Sequence, residues 1–112
     1  MRKVKTLKKN YEFKNVLSKG KFYISHHIVM YVKDNNKKDN FIGIAVSTKV
    51  GNAVNRNRIK RLIRESYRYE KDKIKKGNDI VFMWNKKSDI ENINFKIIHK
   101  EIIELFDKAN MV

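Results

Sequence analysis

The chain has 112 residues, 41% of them hydrophobic and 35% charged, no cysteine, and a formal charge of +15. That length suits one domain over residues 1–112 with one core; the absent thiols exclude disulfides and cysteine-ligated zinc and fit a reducing, cytoplasmic compartment. The N-terminal MRKVKTLKKN lacks a following apolar signal core, and IVMYV and FIGIAV are too short to span a bilayer, so secretion and membrane insertion are not expected.

Residues 1–9 read as a basic arm. Asn10 is placed to cap a helix of about two turns, in which Phe13, Val16 and Leu17 share a side and Gly20 stands at the C′ position. From Lys21 to Val32 the pattern turns β-branched and aromatic, with Ile28, Met30 and Val32 alternating against Val29 and Tyr31, which predicts two strands broken near His26 and His27. DNNKKDN is a polar turn with residues that tolerate a left-handed backbone. FIGIAVS then forms a third strand, whose unbroken apolar run predicts burial on both faces.

The stretch KVGNAVNRNRIKRLIRESYR, Lys49 to Arg68, dominates the chain. Gly51 allows a positive φ, Asn52 or Asn55 can cap, and a helix is expected from near Ala53 through RYEKDKIKK to a stop at Gly77. Ile59, Leu62, Ile63 and Tyr69 are assigned to its core side, and Arg56, Lys60, Arg61, Arg64 and Arg68 to the other. DIVFMW, Asp79 to Trp84, is a fourth strand, and NKKSDIENIN leads to a helix over Phe95–Ala109 with Ile98, Ile102, Leu105 and Phe106 on one side. The order α-β-β-β-α-β-α has a β-α-β unit that implies parallel neighbours and earlier short loops that imply antiparallel ones. The expected class is α+β with a mixed four-stranded sheet.

Charge is uneven: residues 1–40 carry +8, residues 41–85 carry +7, and residues 86–112 carry none net. The last helix therefore reads as structural, and the binding surface belongs to the first three quarters. A polyanion is the expected partner, nucleic acid ahead of an anionic membrane. Seven Lys or Arg against the single Glu65 between Lys49 and Arg68 is more one-sided than an ordinary solvated helix face, which mixes signs.

Enzyme chemistry is poorly served. GIAVSTKVG has its Lys after the Ser and Thr, unlike a phosphate-binding loop, and the acids of the first 85 residues are too scattered for a metal-dependent nuclease. His26 and His27, adjacent on an extended chain, would point to opposite faces. Phe13, Leu17 and Tyr31 can be core residues or a surface that stacks on unpaired bases, and periodicity leaves both open, with core favoured.

VGNAVNRNRIKRLIRE, preceded by AVSTK and by LKKNYEFKNVLSKG, resembles the protein subunit of bacterial ribonuclease P over nearly the whole chain. The resemblance implies a mixed sheet with a left-handed βαβ crossover, like the second domain of a small-subunit ribosomal protein. It implies a chain that is not itself catalytic: an RNA subunit performs the Mg²⁺-dependent removal of the 5′ leader from precursor tRNA, with one protein per RNA. Carried over by motif, Lys49, Arg56, Asn57, Arg58, Lys60, Arg61, Arg64 and Arg68 would contact the catalytic RNA, and Phe13, Leu17, Val29 and Tyr31 the leader. Leu17 stands where relatives often have Phe, and Ala45 where some have Ser. The competing expectation is a ribosomal protein or general RNA chaperone with the same basic helix and no leader cleft.

Overall fold

The computed structural model describes residues 4–88 and 90–112. Met1, Arg2 and Lys3 of the expected arm, and Asp89 of the polar approach, lie outside the described residues. The elements run α1 (Asn10–Lys19), β1 (Lys21–Ile24), β2 (Ile28–Asp34), β3 (Phe41–Ala45), α2 (Ala53–Glu70), β4 (Asn78–Trp84) and α3 (Phe95–Lys108). The predicted order and the mixed α+β class are both present.

The strands form one sheet in the order β1-β2-β4-β3. β1 and β2 pair antiparallel, and β3 and β4 pair parallel across α2, as expected. β2 and β3 do not pair, however: β4 returns from α2 and inserts between them, antiparallel to β2. The outer edge of β3 is met by the chain's own beginning. Leu7 N–H donates to Ile42 O at 2.8 Å and Ile42 N–H to Lys5 O at 3.0 Å, so residues 5–7 are part of the fold rather than a free arm. Pairing of that edge satisfies backbone groups that would otherwise recruit another strand.

The two sheet faces differ. One carries Ile28 and Met30 of β2, Ile42 of β3, and Ile80, Phe82 and Trp84 of β4, packed against Ile59, Ile63 and Tyr67 of α2 and Ile98, Ile102, Leu105 and Phe106 of α3. The other bears a smaller cluster of Leu7, Val16 and Val81, with Phe13, Leu17, Tyr31, Phe41 and Met83 half-buried around it. The apolar run of β3 is thus covered on both sides. On the α1 side the fit is close: a Cβ on Gly43 would come within 2.2 Å of the Phe13 ring, so only glycine lets α1 lie this near the strand.

Local details revise several expectations. Lys9, not Asn10, is the residue before α1, and Glu12 reaches back to accept from the N–H groups of Lys8 and Lys9 at 3.2 and 3.0 Å. Gly20 ends α1 with an extended backbone, φ −78° and ψ 166°, not the left-handed one of a C′ glycine. Helix α2 stops at Glu70 rather than near Gly77. The chain then turns to bury Ile74 and to donate from Lys75 N–H to Met111 O at 2.8 Å, while Asn40 bonds Lys75 O and Asn78 N–H and so leads into β4.

Candidate nucleic-acid interface

Helix α2 begins where its sequence predicts. Gly51 takes φ 53°, and the Asn52 side chain accepts from Asn55 N–H at 2.9 Å, capping one of the free N–H groups of the first turn. Its buried stripe is Ile59, Ile63, Ser66, Tyr67 and Glu70. Tyr67 replaces the expected Tyr69, because at 100° per residue position 69 falls about 80° from Ile59 on the side away from position 67. Tyr69 is instead 64% exposed, with its ring against Phe95 and His99 of α3 at 5.4 and 5.9 Å. Burial pushes the Tyr67 phenol up to about 12, so it stays protonated and hydrogen-bonded with Asn40.

The outward stripe of α2 holds Asn57, Lys60, Arg61, Arg64 and Arg68; Asn57, Arg61 and Arg64 are exposed. Arg68 pairs with Glu65 at 3.0 Å, a surface pair worth less than about 1 kcal/mol and easily exchanged for another anion. Arg56 and Arg58 behave differently. Arg56 Nη1 donates to Thr48 O at 3.1 Å and Gly51 O at 2.9 Å, and Arg58 Nη2 donates to Ile93 O at 2.7 Å. These carbonyls offset the cost of placing cations near the N-terminus of a helix, and they fix both guanidinium groups while leaving other N–H donors of each fork unengaged by those bonds. Lys49 is exposed on the turn before the helix. Five of the eight predicted residues therefore share one stripe, and Lys49, Arg56 and Arg58 flank its N-terminal end.

Phe13, Leu17, Val29 and Tyr31 all lie on the opposite face of the sheet, half-buried, and the structure brings Phe13, Leu17 and Tyr31 together in one cluster. The strand registers arrange that face in rows, because cross-strand partners share a side. One row runs Tyr31, Val81, Gly43, and α1 packs over it, with Val16 in the cluster of Val81 and Phe13 against Gly43. The next row runs Val29, Met83, Ala45, leading at its β3 end toward the turn that carries Lys49. Tyr31 and Leu17 pack against the small cluster and keep an accessible edge. Met83 and Gly43 lie on this same face and were not singled out in the sequence, since DIVFMW after its Asp79 is apolar throughout and carries no alternation to say which side faces α1.

His26 and His27 sit in the loop between β1 and β2, not on a strand, with ring centroids 4.3 Å apart. His27 is tied to α3: its N–H and Nδ1 meet the two Glu101 carboxylate oxygens at 2.7 and 2.5 Å, and its ring stacks on Trp84. Ser25 Oγ also donates to Glu101, at 2.6 Å. Burial alone would raise the Glu101 carboxyl, but these hydrogen bonds together hold it below its ordinary value. The carboxylate faces its donors from within the fold, so the cluster fastens a loop to a helix. A cavity of about 790 Å³ opens at the other end of α2 from Arg56, beside Lys5, Phe41, Tyr67 and Lys76. Among the described residues, no three His, Asp or Glu side chains could hold a metal ion, and no helix is long and apolar enough to cross a membrane.

With this geometry in place, comparison with known proteins is decisive. The family profile described as Ribonuclease P matches residues 1–110. The chain belongs to this family. It is 36% identical over 112 residues to the ribonuclease P protein component of Natranaerobius thermophilus, covering 100% of this chain and 96% of that protein. With the ribonuclease P protein component of Clostridium botulinum strain Loch Maree it shares 42% over 106 residues, 94% of each chain. Among solved structures it is similar to the RNase P protein of Staphylococcus aureus, with TM-score 0.84, 30% identity and coverage of 97% of this chain and 98% of that one. The RNase P protein of Thermotoga maritima gives TM-score 0.84 at 29% identity, covering 93% and 96%. Ribonuclease P protein components act in tRNA processing.

Proposed function

We propose that the chain is the protein subunit of a ribonucleoprotein ribonuclease P, which binds the catalytic RNA through α2 and the 5′ leader of precursor tRNA through the cleft beneath α1. The observation that carries this reading is the separation of two surfaces of different chemistry on one small body. The α2 stripe offers Asn57, Lys60, Arg61, Arg64 and Arg68, with Lys49, Arg56 and Arg58 beside it, and suits the phosphates of a folded RNA. The cleft offers Phe13, Leu17, Val29 and Tyr31, which suit unpaired bases and leave phosphates to solvent and to nearby cations.

In this reading the RNA subunit holds the Mg²⁺ and performs the endonucleolytic cleavage, with one protein per RNA. The chain's part is to position: α2 docks on the RNA, and the cleft takes the leader as it departs from the cleavage point. No residue of the chain is assigned a proton-transfer or nucleophilic role. The work would take place in the cytoplasm, on precursor tRNA. The test is cleavage of precursor tRNA by a bacterial ribonuclease P RNA at low Mg²⁺, with and without this protein. A clear rise in cleavage rate is expected; no rise at any protein concentration overturns the proposal.

A further inference from the structure

We infer that Phe22, with Ile24 beside it, extends the leader cleft onto the edge strand β1 and stacks on one further unpaired base of the RNA that occupies the cleft. This inference rests on the leader-binding reading above. In the β1–β2 pairing, Phe22 stands opposite Tyr31 and Ile24 opposite Val29. Cross-strand partners share a face, so both side chains continue the rows of the cleft rather than those of the main core. The Phe22 and Tyr31 rings are 5.8 Å apart and inclined by 39°. Phe22 is 59% exposed and Ile24 52%, on a strand whose other face is held against α3.

Large apolar side chains are disfavoured on a sheet edge, where they invite association, unless something uses them. The occupant is argued from continuity and charge. Phe22 adjoins Tyr31 at the β1 end of the Tyr31, Val81, Gly43 row, Ile24 extends the neighbouring Val29, Met83, Ala45 row that leads toward Lys49, and Lys33 follows Tyr31 on the same face. Lys19 and Lys21, both exposed, precede Phe22 in the chain. An aromatic ring among lysines fits the base and backbone of single-stranded RNA, which needs a π-face and a nearby cation at each step.

The experiment measures equilibrium binding of the assembled holoenzyme, this chain with a bacterial ribonuclease P RNA, to precursor tRNAs whose leaders are lengthened one nucleotide at a time. Phe22→Ala and Phe22→Leu should each weaken binding of long leaders about fivefold or more, whereas Phe22→Trp should keep it. Leaders too short to reach β1, and mature tRNA, should bind all variants alike. If Phe22→Ala matches the unaltered chain at every length while Tyr31→Ala still discriminates against precursor, the Phe22 inference fails and the leader reading stands. If both variants match the unaltered chain throughout, the leader reading fails and the inference with it. Equal losses for every substrate would also overturn the inference, placing Phe22 in assembly instead.

Discussion

The two faces of the four-stranded sheet have opposite characters. Toward α2 and α3 the strands present Ile28, Met30, Ile42, Ile80 and Phe82, all at most 1% exposed, and nothing is left for a partner. Toward α1 the same strands present Val29, Tyr31, Met83 and Ala45, half-buried under a helix of 10 residues that covers only part of the width. One face is finished by the chain and the other is left partly open. The difference teaches where stability and binding reside: apolar area on the first is already removed from water, whereas on the second some remains for a ligand to bury.

Breaking the finished face should have the largest effect. Phe82→Ala removes a fully buried ring in contact with Tyr67 and Phe106, and a loss of about 3–5 kcal/mol in urea unfolding is expected. A loss below about 1 kcal/mol would mean that the core repacks and the contrast between faces is weaker than drawn. Gly43→Val tests the half-covered face, since its first carbon already overlaps Phe13. Overpacking of about 1–3 kcal/mol is expected in the same titration. If stability is unchanged, α1 lifts freely and the cleft has no fixed floor.

Glu101→Gln probes the join between the β1–β2 loop and α3. Because the folded carboxyl lies below its unfolded value, its contribution is fully present above the ordinary glutamate range and is lost as pH falls through the folded value. The variant should therefore be less stable by about 1–2 kcal/mol at neutral pH, with the gap closing only in acid. Thermal melts over that range check this, and a gap of constant size would remove the ionised carboxylate from the account. Smallest in stability are Arg61→Ala and Arg64→Ala, expected to change it by no more than about 0.5 kcal/mol. Each should nevertheless reduce the salt slope of RNA binding by about 0.7–0.9. Unchanged slopes in both would take the α2 stripe out of the interface.

Much of this was legible in the residues, and the exceptions have causes. The helix from Ala53 was announced by Gly51 and Asn52, and the cationic stripe by spacing alone, because both are local. The role of Arg56 and Arg58 as ties to the Thr48, Gly51 and Ile93 carbonyls was not legible, since a guanidinium declares its charge but not its partner. Tyr69 was misplaced because it lies as far from Ile59 as Tyr67 does on the other flank, and only the lean of Ile63 and Glu70 toward Tyr67 decides which flank is core. The helix end at Glu70 escaped because Ile74 keeps the helical spacing of the stripe, while the turn that buries it is set by Asn40 and Met111, distant in sequence.

By itself the sequence determined the element order, the mixed α+β class, the cationic side of α2 and, through VGNAVNRNRIKRLIRE, the resemblance to the family. These rest on near-neighbour spacing and residue chemistry, which a chain carries wherever it goes. Only the tertiary structure decided that β4 inserts between β2 and β3, that residues 5–7 close the β3 edge, and that Phe22 stands beside Tyr31. Strand order and register arise from contacts among residues far apart in sequence. The alternation along any one strand fixes which residues share a face, but not which strand lies beside it.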